Sequence, residues 1–276
     1  MQSGHGTPAW RLIVLLCVVW GSVLSLGCSV VPSNSRDWSP DQAVLAYGEL
    51  SDDLVTLHNV RNCEYRTTDD YTVRYYTKTY DLNQIRSVDF VMVPFAGLPG
   101  AAHTFLSFGF EDEQHVAVSV EVRKEKGESY SFVKGISNGY ELIYVIGDER
   151  DLIGLRANQR LDDVYLYRAN ATPEQARALF VDVVERANKL RTEPEFYNLV
   201  TNNCTTNVMR HVNKIASHPI AYNYQVLLPG YADRLAYDLG LIRGAESFER
   251  TREEARVNRL AYVYRDSPDF SKAIRR

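Results

Sequence analysis

The chain has no basic run, and a formal net charge of −4 leaves no cationic face for a polyanion, so nucleic acid is not expected as a partner. Internal repeats and low-complexity segments are lacking, which excludes solenoid and collagen-like architectures. Histidine is scarce, at 6 residues. Among His58, His103, His115, His211 and His218 none has ligand spacing such as a pair four apart with a glutamate, so no metal and no cofactor is expected. After the N-terminus no apolar run reaches the length a membrane-spanning helix needs. Glycine and proline stand at ordinary levels. What is plentiful is tyrosine, with 18 residues, an excess that fits sheet-rich folds and ligand or interface surfaces. The 276 residues suffice for one large domain, or for one domain and a tail.

The N-terminus reads as an export signal. Arg11 precedes an apolar run over residues 12–26, interrupted only by small residues such as Gly21, Ser22 and Ser25. At roughly 15 residues the run is too short to span a bilayer and suits a signal peptide. It closes on Leu24-Ser25-Leu26-Gly27-Cys28, which resembles a bacterial lipobox with Ser25 at a position usually held by leucine. The expectation is a signal over 1–27, diacylglycerol on the Cys28 thiol, and a lipid-anchored polar tether over 28–52. An ordinary signal peptide or an uncleaved anchor is the alternative. Ser29 in place of aspartate favours the outer membrane, with the domain facing the periplasm. Removal of Cys17 and lipidation of Cys28 would leave only Cys63 and Cys204 in the folded part, where they either pair or stay free.

Strands are expected from Val73 to Tyr80, around Val88 and the apolar residues 90–93, over 140–146 and over 163–167. The most informative piece is a hairpin. In its first strand Thr104, Leu106, Phe108 and Phe110 share one face, while His103, Phe105, Ser107 and Gly109 share the other. The return strand puts Val116, Val118, Val120 and Val122 on one face and Ala117, Ser119, Glu121 and Arg123 on the other. Matching the apolar faces permits two registers. A three-residue loop sets His103 opposite Glu121; a five-residue loop sets it opposite Arg123. Either way His103, Ser119, Glu121 and Arg123 share a polar face.

Thr172 with Pro173 starts a helix whose stripe is Ala176, Leu179, Phe180, Val183, Val184, Ala187 and Leu190. A second helix is expected from about Asn203-Cys204 through Val208, Val212 and Ile215. A cysteine in a first helical turn feels the positive end of the helix dipole and free backbone N–H groups, which favour thiolate. Beside a histidine base it would be an activated nucleophile. Glu121 is the candidate for orienting that histidine. Asn203-Cys204-Thr205 also spells a glycosylation sequon, a reading that lapses in a bacterium.

Several strings in order resemble the Lnb N-terminal periplasmic domain family: Asn62-Cys63-Glu64-Tyr65-Arg66-Thr67, Ala102-His103-Thr104, Ser119-Val120-Glu121-Val122-Arg123, Tyr140-Glu141-Leu142-Ile143-Tyr144, Asp163-Val164-Tyr165-Leu166-Tyr167 and Asn203-Cys204-Thr205-Thr206-Asn207. The resemblance covers roughly residues 53–220. The family takes its name from a bacterial lipoprotein N-acyltransferase and is similar to circularly permuted papain-like enzymes. It implies Cys204 as nucleophile, His103 as general base and Glu121 as orienting group. Asn203, Arg123, Ser119, Glu141 and Arg150 are then candidates for the surrounding shell. For Arg123 and Glu141 the competing reading is a structural ion pair. The implied reaction is acyl transfer or hydrolysis through an acyl-Cys204 intermediate on a lipid or lipoprotein ester or amide. The namesake's membrane-spanning part after the periplasmic domain has no counterpart here, which puts transfer to lipoproteins in doubt and leaves hydrolysis open. Two other readings remain: a papain-like peptidase or amidase on cell-wall peptides, and a non-catalytic envelope binding lipoprotein. The expected fold is α+β, an antiparallel sheet with packed helices in a papain-like arrangement, followed by a helical C-terminal extension over 221–276.

Overall fold

The structure is a computed structural model describing residues 30–275. Of these, residues 33–275 form one compact unit. The signal segment and Cys28 lie outside the described residues.

Strand β1 (Tyr47–Ser51) pairs with β2 (Leu54–Arg61), and the pair β3 (Glu64–Tyr65) and β4 (Tyr71–Thr72) leads into β5 (Tyr75–Asp81), which also lies against β2. Strands β6 (Ile85–Pro94), β7 (Ala102–Phe110), β8 (His115–Arg123), β9 (Tyr140–Gly147) and β10 (Tyr165–Arg168) complete a sheet ordered β1-β2-β9-β8-β7-β6-β10. Its pairings are antiparallel except for a single parallel bridge, Arg61 to Gly147. The β7–β8 register pairs Phe105 with Ser119 and Gly109 with His115, which is the three-residue-loop alternative. Phe110 N donates to Gln114 O across that loop, and Glu113, its last residue, adopts the left-handed φ of 61° such short hairpins use.

Period-two alternation gives this sheet two buried faces. The first carries Ala102, Leu106, Phe108, Val116, Val118 and Val120 against helices α3 (Pro173–Thr192) and α4 (Cys204–Ile215). All seven residues of the α3 stripe are buried there, and Thr172 caps the helix as expected, in a capping box with Gln175. The second face carries Val91, Val93, Phe105, Ala117, Ile143 and Val145. Helix α2 (Glu149–Gly154), running into a π-helical turn (Leu155–Gln159), covers it with parts of the C-terminal region.

That region is no separate extension. Ala232, Ile242 and Ala255 enter the first core, and Val257, Ala261, Phe270 and Ile274 enter the second. Ile242 bridges to Ala169, and Arg275 reaches Asp89 at 2.9 Å and Glu149 at 2.8 Å. A chain stopped at residue 220 would expose apolar surface on both faces. The stretch read as tether is also folded from Ser33 onward. Ser33 N donates to Glu141 at 3.1 Å, Trp38 is buried under the Arg123 guanidinium at 4.2 Å, and β1 belongs to the sheet.

Behind the second face lies a buried ion pair. The Arg61 Nε and Nη2 atoms donate to the two Asp151 oxygens at 2.9 and 2.8 Å, and the Cys63 amide adds a third bond at 2.8 Å. Asp151 is fully buried. Removing only the cation strands its charge, which costs about 3–5 kcal/mol, whereas replacing both partners by apolar groups costs far less. Arg61→Met should therefore lower the unfolding free energy in urea by about that amount, and Arg61→Met with Asp151→Leu should recover most of it. Equal losses in single and double variants would contradict the ion-pair account.

Candidate functional site

His103 sits at the second position of β7 with a half-buried ring. Its Nε2 lies 2.7 Å from Ser119 Oγ, and Ser119 Oγ donates to Glu121 Oε1 at 2.8 Å. Arg156, from the π-helical turn, donates to the same carboxylate oxygen at 2.8 Å and to Leu152 O at 2.7 Å. Because the one Ser119 proton goes to Glu121, the proton between His103 and Ser119 belongs to His103 Nε2, leaving Nδ1 bare. Burial, followed by Arg156, pushes the His103 imidazole down to about 3. Burial alone would raise Glu121, but the Arg156 guanidinium outweighs it and keeps the carboxylate ionised. The arrangement is therefore a neutral, tautomer-fixed imidazole held by an anion that an arginine neutralises. Three of the expected site residues, His103, Ser119 and Glu121, are brought together.

Cys204 is not among them. Helix α4 starts at Cys204 because Asn203 caps it: Asn203 Oδ1 accepts from Thr206 N at 2.8 Å, and Thr206 Oγ1 accepts from Asn203 N at 2.8 Å. The cysteine therefore occupies the first turn, as its sequence context predicts. The helix lies on the first face, however. Thr205 Oγ1 is 3.1 Å from Thr104 Oγ1, and Cys204 itself belongs to the core containing Leu106 and Val118. His103 belongs with Phe105, whose ring centroid is 5.7 Å away on the second face. Successive residues of an unbulged strand point to opposite faces, so Thr104 and His103 divide the thiol from the imidazole. The expected Cys204–His103 pair, and with it the papain-like juxtaposition, is not assembled. Cys204 Sγ, 3 % exposed, is 3.9 Å from Thr205 Oγ1.

The histidine on the thiol's own face is His211, seven residues further along α4, about 10 Å up the axis. Both its nitrogens are occupied: Nδ1 is 2.6 Å from Asp182 and Nε2 is 2.7 Å from the Tyr144 hydroxyl. It clamps α4 to α3 rather than serving the sulfur.

The other expected residues are structural. Arg123 donates to Gln42 O, Asn34 Oδ1 and Ala43 O, each at 2.9 Å, and so fastens the N-terminal segment. Glu141 faces Arg123 across β8–β9 but takes its ion pair from Arg36 at 2.8 Å. Arg150 is exposed at the far end of β9, beside Asp148. Cys63 and Cys204 are both free thiols. They lie toward opposite ends of β9, since Arg61 pairs with Gly147 while Tyr197 on β11 (Phe196–Tyr197) pairs with Tyr140. Burial pushes the Cys63 thiol up to about 12. Sequence reasoning missed Arg156, which sits in a turn with no periodic signal, and the Thr104–Thr205 contact that selects the face.

On the first face α3, α4 and the C-terminal helices α5 (Tyr224–Leu227) and α6 (Ala232–Asp238) line a partly open apolar cavity of about 130 Å³. Leu106, Leu179, Val208, Val212 and Leu235 line it, and Thr205 contributes to its wall.

A mixed sheet-and-helix domain with a cysteine-headed helix over an apolar cavity is the class of molecule the fold defines. The Lnb N-terminal periplasmic domain model matches residues 71–230, more than half of the chain, so the chain belongs to that family. The match spans His103, Glu121 and Cys204 and fits a domain facing the periplasm in the cell envelope. No curated protein and no solved structure gives a match. Among the described residues no helix is long and apolar enough to cross a membrane.

The histidine network makes a pH prediction. An unfolded chain binds a proton at His103 near pH 6.5, whereas the folded one resists until about 3. Between those values the unfolded state holds the extra proton, so stability falls as the pH drops. His103→Asn should make that acid loss shallower. The His103 ring resonances of the wild type should not move between pH 8 and about pH 4. A midpoint near 6 would refute the network.

Proposed function

We propose that this chain is an envelope lipid-handling protein whose Lnb-type domain takes the acyl chain of a lipid or lipoprotein into the cavity beside Cys204. The observation that carries this reading is the cavity. Its walls are largely aliphatic, and at about 130 Å³ it approaches the size of apolar cavities, near 150 Å³, that stay dry and bind small hydrocarbons. A short run of methylenes fits such a space, each contributing about 0.8 kcal/mol on leaving water. A cell-wall peptide would need more polar partners than Asn170, Gln175 and Thr205 give this wall, which disfavours the peptidase and amidase alternative.

A second reading, acyl transfer or hydrolysis through acyl-Cys204, is favoured by one observation: the thiol heads α4 next to the Thr205 wall of the cavity. The sulfur would bond to the acyl carbon, the ester C–O bond would break, and the thiol proton would leave with the alcohol. Water or an amine would then release the acyl group. Because His103 occupies the other face, this chemistry draws its nucleophile from the helix terminus and not from that imidazole. The binding reading stands whether or not the covalent step occurs.

Palmitate displacement of a fluorescent fatty acid, measured on the full chain, tests the first reading. Val212→Phe, which fills the cavity, should weaken binding tenfold or more at unchanged melting temperature, and Cys204→Ala should leave it intact. Equal affinity in the Val212→Phe variant would remove the cavity proposal. For the second reading, incubation with a phospholipid should add one acyl mass that hydroxylamine releases and Cys204→Ala abolishes. Iodoacetamide labelling of Cys204 should proceed at the same rate in His103→Ala, and a large drop there would restore the base–nucleophile pair.

A further inference from the structure

One end of the sheet carries an arc of exposed apolar side chains that no core explains. Strand β6 turns into β7 there through residues 95–101, β8 leaves, and β9 enters after α1 (Phe132–Ile136). Phe132 and Val133 are 66 % and 67 % exposed on α1, although a helix of five residues has no reason of its own to present them. Val200 and Tyr222 are exposed beside it, and Leu98 and Tyr231 continue the arc.

Hydrogen bonds to backbone carbonyls tie these pieces together. Leu199 N donates to Gly135 O at 2.9 Å, the Tyr222 hydroxyl donates to Val200 O at 2.7 Å, and Gly230 N donates to Gly100 O at 2.9 Å. The last contact is close enough that a Cβ on Gly230 would come within 2.7 Å of the Gly100 backbone. The α1 segment, the loop before α4 and the segment around residues 222–231 therefore form one continuous rim around the N-terminal end of α4. Apolar arcs of this kind on soluble domains mark interaction surfaces.

The N-terminal segment enters the domain at the same end. Ser33 bonds Glu141, next to the first residue of β9, and Trp38 bridges to Glu125, just past the end of β8. Ser33 is five positions beyond Cys28, a span of about 17 Å when fully extended. An anchor at Cys28, or an uncleaved apolar segment ending near it, would hold this end of the sheet close to the bilayer and leave the β7–β8 hairpin facing away.

We propose that the rim formed by the 95–101 turn, α1 and the 222–231 segment lies against the bilayer that holds the N-terminal anchor, with Phe132, Val133 and Leu98 inserted among the acyl chains. The proposal rests on the anchored reading of the N-terminus. It places the mouth of the α4 terminus, and Cys204 beneath it, at the lipid surface.

The test uses the full chain reconstituted in vesicles of phosphatidylethanolamine and phosphatidylglycerol, with a small share of phospholipid carrying a photoactivated carbene on its acyl chain. Irradiation followed by peptide mapping should find adducts in the 130–136, 95–101 and 222–231 peptides and none around Asp112 in the opposite hairpin. Phe132→Ser with Val133→Ser should cut the adducts in all three peptides several-fold while the protein still floats with the vesicles. Adducts confined to the N-terminal segment would overturn the proposal, as would rim-to-rim cross-links between two copies in place of lipid adducts. A chain that fails to float also overturns it, while leaving the cavity reading untouched, because fatty-acid displacement needs no vesicle.

Discussion

In a β-strand, neighbouring side chains cannot share a face, and in this molecule the rule acts most consequentially at Thr104 and His103. Thr104 meets Thr205 and fixes α4 against one side of the sheet; His103 turns to the other side, into a pocket made by Ser119, Glu121 and Arg156. With both faces buried, the two residue sets serve two cores. The cysteine and the histidine consequently answer to different neighbours.

The second face is held by charge as much as by apolar packing. Glu121 with Arg156, Asp151 with Arg61, and Glu149 with Arg275 place two buried carboxylates and one partly buried one on three buried or nearly buried guanidiniums. Each anion would be costly alone and is tolerable in company. The first face is mainly apolar and contains the only group of this kind that is shared with the thiol's helix, the Asp182–His211–Tyr144 clamp, as far as the described residues extend. The apolar cavity belongs to that face, which suits a ligand made of methylenes.

Much of this was legible from local pattern. The β7–β8 hairpin, the α3 stripe, the Thr172 cap and the cysteine at the head of α4 all follow from alternation, helical period and capping chemistry, which act over a few residues. The α+β class followed from the same signals, and five of the six family strings fall inside the match over residues 71–230, while Asn62–Thr67 lies before it. The polar cluster of His103, Ser119 and Glu121 could be anticipated because all three lie on one hairpin. What could not be read was which side of the sheet α4 would choose. That depends on a contact between residues 104 and 205, and a hundred intervening residues carry no local record of it. The role of residues 221–276 was hidden for a related reason. Their helices are short and charged, and only the partners they meet, such as Asp89 and Glu149 for Arg275, show them to be part of the core.

Arg275 gives the fold a temporal property. Asp89 and Glu149 both precede it, and the guanidinium that bridges them comes 186 residues after Asp89. Until that residue has joined, a compact arrangement of the preceding segments leaves Glu149 buried without this cation and Asp89 with Arg168 at 2.7 Å as its remaining partner. Closing the second face therefore has to wait for a residue 186 positions downstream of Asp89, so this part of the core forms through a long-range encounter and not a local one.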